Sequence, residues 1–196
     1  MNVIHAYMSY DPNSPFCQWT RNVIDEFKTL SDEEIRAQIA KKSNGFAVLM
    51  THVEGDFNIG SAIRSANFHG ASEFFYYGKK KIDRRGAVGV YKYTPVKHLN
   101  SWDDLNILKD RYTFVGFENN VPGTVPLYDF DWKLEKTPCI VVGEEGKGIQ
   151  EDVMKLCDIL VEIPNFGSVR SLNVGTASSI AMYDYISKTR FTHRVL

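Results

Sequence analysis

The sequence predicts an α/β fold: a mostly parallel sheet with helices on both faces and a short N-terminal helical extension. Two observations predict it. Short runs such as Phe-Ala-Val-Leu-Met (residues 46–50) and Cys-Ile-Val-Val (139–142) are apolar throughout instead of alternating, as strands buried on both faces are. Segments with helical spacing lie between them, which favours crossover connections over hairpins. With 196 residues, 43% of them hydrophobic, the chain is long enough to bury a substantial core.

The elements follow in order. Ser14-Pro15 reads as a cap followed by proline at the first helical position. Phe16, Trp19, Val23, Phe27 and Leu30 then recur at helical spacing and predict a first helix over residues 16–30. Ser31-Asp32-Glu33-Glu34 is a capping box that opens a second helix, to about residue 42. These helices make up an extension, residues 1–44. From residue 45 to 196 strands alternate with helices. Strands are predicted over 45–53, 73–77, 93–96, 112–117, 138–142 and 158–163. Helices are predicted over 59–69, 101–109, 151–156 and 173–188. Ser101 caps the second of these, with Asp103 and Asp104 in its first turn.

Composition narrows the function classes. The formal net charge is −1, which argues against indiscriminate coating of nucleic acid, so any such binding needs a local patch. The longest apolar runs are strand-length, too short to span a bilayer. The first residues lack the basic head and apolar core of a signal peptide. The cysteines (Cys17, Cys139 and Cys157) and the five histidines show no metal-ligand spacing, so no metal is expected. Reduced thiols and a cytoplasmic location are the corresponding expectation.

In a parallel sheet, ligands bind at loops that follow the carboxyl ends of strands. Three such loops here are chemically unusual. The first leads into the helix at 59–69 and carries Asn58, Gly60 and Arg64. Asn58 sits near the start of the helix, where a simple cap is the commoner use. Arg64 is expected on the same face one and a half turns on, among small neighbours (Ser61, Ala62, Ser65 and Ala66) that suit a helix packed close to something. The second, Val-Val-Gly-Glu-Glu-Gly-Lys-Gly-Ile (141–149), lets backbone approach a ligand closely. Its glycine spacing is neither that of a P-loop nor that of a dinucleotide fingerprint. Glu144 and Glu145 disfavour phosphate and suit a ligand with hydroxyls and a positive centre. The third, Ile163 to Asn173, brings Gly167, Ser168, Arg170 and Ser171 to the entrance of the last helix, where orphan backbone N–H groups point outward.

A fourth feature is a glycine-flanked basic loop. Lys79, Lys80, Lys81, Arg84 and Arg85 crowd beside Tyr76, Tyr77, Tyr91 and Tyr93. Cations interleaved with aromatics fit phosphate contacts and base stacking, against the plainer alternative of a solvated charge run.

Together these residues resemble the SpoU/TrmH family of RNA ribose 2′-O-methyltransferases, within the SPOUT superfamily. The family pattern N-x-G-x-x-x-R-x-A-x-x-x-G is matched by Asn58, Gly60, Arg64, Ala66 and Gly70. G-x-E-x-x-G-I is matched by Gly143, Glu145, Gly148 and Ile149. I-P-x-x-G-x-x-x-S-L-N-V-x-x-A is matched by Ile163, Pro164, Gly167, Ser171, Leu172, Asn173, Val174 and Ala177. The match is nearest the TrmH branch, whose members methylate a guanosine ribose in the D-loop of tRNA. Asn165 replaces the usual Met after Ile-Pro, Glu144 stands where Asn, Gln or Ser is common, and His69 replaces an apolar residue.

The resemblance implies a sheet whose C-terminal part is tied in a deep trefoil knot, against the usual unknotted rule. It implies S-adenosylmethionine bent within that knot, held by Gly143, Glu144, Gly148, Ile163 and Leu172. It also implies a homodimer whose partner subunit completes the site for RNA, a compact tRNA being favoured. The catalytic group it implies is Arg64, Asn58, Glu145, Ser171 and Asn173. Arginine is hard to deprotonate, so Arg64 is read as holding a phosphate and lowering the hydroxyl pKa electrostatically. Lys79, Lys80, Lys81, Arg84, Arg85 and Arg170 are the expected RNA contacts. The alternatives are a catalytically silent protein that binds RNA or the cofactor, and a ribosomal RNA 2′-O-methyltransferase.

Overall fold

The computed structural model describes residues 22–53, 56–78 and 81–191. In chain order its elements are α1 (Asp32–Lys41), β1 (Ala47–Thr51), α2 (Asp56–Phe68), β2 (Glu73–Tyr77), β3 (Val96–Leu99), α3 (Trp102–Arg111), β4 (Thr113–Phe117), β5 (Val125–Pro126), β6 (Pro138–Val142), α4 (Glu151–Met154), β7 (Ile159–Glu162) and α5 (Val174–Arg190). Short 3₁₀ turns occupy Asp25–Phe27, Arg84–Ala87 and Val90–Lys92.

The strands form one sheet of seven in the order β3-β2-β1-β6-β4-β7-β5, with every pair parallel. Alternate side chains feed two cores, as the two-residue period of a strand requires. Val48, Met50, Phe74, Val115 and Ile140 point into a layer closed by Ile35 of α1, Ile63 of α2 and Met182 of α5. Leu49, Phe75, Phe114, Cys139 and Val141 point into the opposite layer, closed by Leu105 and Leu108 of α3 and Val153 of α4. A large apolar side chain buried this completely contributes about 1.5–3 kcal/mol, so both faces hold the sheet.

Two helix starts are as predicted. The Ser31 hydroxyl accepts from the Glu34 N–H while the Glu34 carboxylate accepts from the Ser31 N–H, and Ser101 and Asp104 repeat this reciprocal pairing. Other elements differ. Of the helix expected over 16–30, the part before residue 22 lies outside the described residues. In the rest, Ile24 is extended and only the 3₁₀ turn Asp25–Phe27 forms, which still buries Phe27. The strand expected at 93–96 lies later, at Val96–Leu99. Tyr93 ends a 3₁₀ turn and Pro95 has no N–H, so the ladder opens with the Pro95 carbonyl accepting from Phe74. Helix α2 begins three residues before the expected start, and Asn58 therefore lies inside its first turn.

Sheet order positions the site. β1, β6, β4 and β7 are neighbours although they are far apart in the chain, and their carboxyl ends bring four connecting segments together.

Candidate functional site

The segment after β6 is a tight reversal. Glu144 and Gly148 exchange backbone hydrogen bonds of 3.0 and 2.8 Å as an isolated antiparallel bridge. Gly148 has φ +71°, and a Cβ there would collide with the Glu118 carboxylate; a Cβ on Gly143 would collide with the Gly148 backbone. The glycines thus fold this loop onto itself. Lys147 lies 3.6 Å from the Glu144 carboxylate.

Three predicted side chains meet. The Asn58 amide donates to Glu145 Oε1, and Asn173 Nδ2 donates to Asn58 Oδ1 at 3.0 Å. Asn173 Oδ1 accepts from the Thr176 N–H at 3.2 Å and so caps α5. The segments after β1, β6 and β7 are thereby joined by one run of side-chain hydrogen bonds. Gly175 makes room for it, since a Cβ there would lie 3.2 Å from Asn173 Oδ1 and 3.5 Å from the Asn58 carbonyl oxygen. One turn further along, Ser179 donates to Ser65 at 2.8 Å. The small residues of α2 are thus packed against α5.

Beside this run is a cavity of about 510 Å³, lined by Gly143, Glu144, Glu145 and Gly148 after β6 and by Ile163, Arg170, Ser171 and Leu172 after β7. Its size suits a small-molecule ligand. A third wall, Glu118 to Val121 after β4, is not anticipated by the sequence reading. Glu118 Oε2 accepts from the Ile149 N–H at 2.7 Å. The Asn119 amide donates to the Ile163 carbonyl at 3.1 Å and accepts from the Ile163 N–H at 3.2 Å. These two residues staple the other two loops together from below. The available signal is Glu-Asn-Asn following directly on the apolar run Thr-Phe-Val-Gly-Phe. Three carboxylates (Glu118, Glu144 and Glu145) against Lys147 and Arg170 give the cavity an acidic wall fit for a positively charged centre.

Arg64 is not with them. It is exposed and borders a second hollow, about 600 Å³, with Phe27, Ile35, Phe68 and Val90. Six residues along a helix turn it by 600°, leaving Asn58 and Arg64 about 120° apart, so the two do not share the face expected of them. Arg64 instead shares the outer face of α2 with Phe57 (60% exposed) and Phe68 (83% exposed), seven residues before it and four after.

The basic loop also differs from expectation. Lys79 and Lys80 lie outside the described residues, and Lys81 is exposed. Arg84 lies over the Tyr91 ring, 4.8 Å from its centroid. Arg85 is paired with Asp83, which also caps the 3₁₀ turn. That turn packs on α2, where a Cβ on Gly60 would be 2.9 Å from the Ala87 nitrogen. Tyr93 is buried and Tyr76 rests on His98 at 4.8 Å, so these two rings are committed to protein contacts. No group of three potential metal ligands stands together among the described residues, and none of their helices is long and apolar enough to cross a membrane.

A fully parallel sheet with a polar cavity at the carboxyl ends of its central strands defines a ligand-binding α/β protein. Residues 45–183 match the model of the SpoU rRNA methylase family, and the chain belongs to that family. It is 27% identical over 164 residues to a putative TrmH family tRNA/rRNA methyltransferase of Staphylococcus aureus, covering 80% of this chain and 64% of that one. It is 26% identical over 167 residues to the 23S rRNA (guanosine-2′-O-)-methyltransferase RlmB of Haemophilus influenzae, covering 81% and 66%. The chain thus spans slightly less than two thirds of the length of these relatives. Among solved structures it resembles the SpoU methyltransferase AviRb from Streptomyces viridochromogenes in complex with the cofactor AdoMet, with TM-score 0.68, 26% identity, and 76% and 60% of the two chains covered. The fold is also that of the A. aeolicus TrmH/SpoU tRNA modifying enzyme, with TM-score 0.69, 24% identity, and 80% and 81% covered.

Proposed function

We propose that the chain is an S-adenosylmethionine-dependent methyltransferase acting on a ribose 2′-hydroxyl of RNA, with residues 45–196 as the methyltransferase domain. The observation that carries this is the run Asn173–Asn58–Glu145 beside an acidic-walled cavity at the carboxyl ends of β6, β4 and β7. The bound cofactor supplies an electrophilic methyl group on a sulfonium. The chain's own groups do the rest. Main-chain groups of Gly143, Gly148, Ile163 and Leu172 line the cavity for an adenosyl moiety, and Glu144 contributes negative charge toward a positive centre. Asn58 and Asn173 hold Glu145 in one orientation, and Ser171, exposed at the mouth, is free to meet a ribose. Such alignment is how enzymes convert binding into rate when the chemistry itself is a simple displacement.

Arg64 needs a second chain under this reading. The outer face of α2, with Phe57 and Phe68 exposed around Arg64, supports a homodimer in which that arginine serves the partner's cavity. The knotted connection belongs to this reading as what the resemblance implies. A tRNA substrate, with a D-loop guanosine favoured, follows from the resemblance; the similarity to RlmB supports ribosomal RNA as the second reading. A cytoplasmic location goes with either.

Calorimetry with S-adenosylmethionine, then methyl transfer to bulk tRNA and ribosomal RNA, tests the proposal. Nuclease digestion of the product should show a blocked phosphodiester next to the modified nucleotide, as only 2′-O-methylation produces. Arg64→Ala should abolish transfer and leave cofactor affinity within about twofold. No cofactor binding, methylation of a base, or full activity in Arg64→Ala would each contradict it.

A further inference from the structure

Asn165, where the sequence departs from the family pattern, determines the shape of the loop after β7. Its Oδ1 accepts from the Gly167 N–H at 2.8 Å and its Nδ2 donates to the Val169 carbonyl. Both ends of the amide are used, and the loop closes around residue 165 instead of folding Phe166 inward. Phe166 is 94% exposed, more than any other large apolar side chain among the described residues, and Val169 beside it is 61% exposed. Single apolar side chains at a surface are ordinary. This one sits in a loop closed by the two Asn165 hydrogen bonds, and the same short loop continues into Arg170, Ser171 and Leu172 at the cavity. Arg170 makes no ion pair among the described residues. An open aromatic face four residues from an uncommitted cation is the pairing that single-stranded nucleic acid engages, base on ring and phosphate on guanidinium.

We propose that Phe166 is a stacking platform for an unpaired RNA base at or next to the methylated nucleotide, with Arg170 on the adjoining phosphate. This rests on the reading of the chain as an RNA ribose methyltransferase. A ribose brought to Ser171 carries its base, and its neighbours' bases, within reach of this loop. Near Tyr91, by contrast, the ring is already covered by Arg84.

Fluorescence anisotropy with a short labelled unstructured RNA and with bulk tRNA, alongside cofactor calorimetry, tests the proposal in Phe166→Ala, Phe166→Leu and Phe166→Trp. Leucine keeps apolar area but has no π face. Alanine and leucine should each weaken RNA binding roughly tenfold. Tryptophan should preserve binding, and its emission should be quenched on adding RNA. Cofactor affinity should move less than twofold throughout. RNA affinity unchanged in the leucine variant overturns the platform alone. A shift in sedimentation of Phe166→Ala with RNA affinity intact also overturns it, by giving the ring to a second copy of the chain. Wild-type protein that binds the cofactor but no RNA overturns the RNA substrate and the platform together.

Discussion

At the amino end of the sheet, the Glu73 carboxylate at the start of β2 accepts from Lys97, Arg111 and Tyr112. At the carboxyl end, Asn58, Glu145 and Asn173 form a run that stops at a cavity, with Ser171 and Arg170 on its margin. The first arrangement closes on itself and serves stability. The second ends where a substrate could continue it. Burial pushes Glu73 up, but hydrogen bonds from Lys97, Tyr112 and Arg111 outweigh it and hold the carboxyl below its usual range. Burial, then the Glu73 hydrogen bond, pushes the Tyr112 hydroxyl far up. Burial likewise raises both described thiols, Cys157 to about 12 and Cys139 strongly, so neither is a nucleophile at neutral pH.

The largest effect should come from breaking the closed end. Glu73→Ala leaves a tyrosine hydroxyl and two cations without their acceptor and should cost about 3 kcal/mol in denaturant unfolding, with the cofactor affinity of the folded fraction unchanged. The sign with pH follows from the lowered carboxyl. Its contribution is complete above the ordinary carboxylate range and is lost as pH falls through the folded-state value, so the acid limb of the wild-type stability profile should flatten in Glu73→Gln. A loss of cofactor affinity in Glu73→Ala would show that the two ends are coupled.

A smaller effect should come from the staple between loops. Asn119→Ala removes both hydrogen bonds to Ile163, and calorimetry should find cofactor binding about tenfold weaker with stability lowered by only about 1 kcal/mol. Full cofactor affinity in this variant would mean that the β7 loop holds its shape without help from the β4 loop.

Much of the fold was legible because its local signals are strong. The strands Glu73–Tyr77 and Pro138–Val142 coincide with their predicted limits, the Ser31 capping box forms, and Ser101 caps its helix. Strand β5 was not legible, since two residues carry no period. The helical spacing of Val23, Phe27 and Leu30 misleads in the other direction, since in the described residues it is met by a single 3₁₀ turn and packing. At the site, the residue types of three loops could be read one loop at a time, but their meeting depends on β6 and β4 inserting between β1 and β7, which no local pattern encodes. Glu118 and Asn119 give little local signal because they act on backbone atoms of distant loops. Arg64 and Asn58 lie on different faces of α2, since a six-residue step does not return to the same helical face.

The central claim is that Asn58, Glu145 and Asn173 act as one unit although three separate segments supply them. A double-mutant cycle on single-turnover methyl transfer, with Asn58→Ala, Glu145→Ala and the pair, tests it most directly. If they act together, each single variant should lose about 10²–10³-fold and the pair should be little worse than the poorer single. Losses that multiply in the pair, or a single variant with wild-type rate, would contradict the claim.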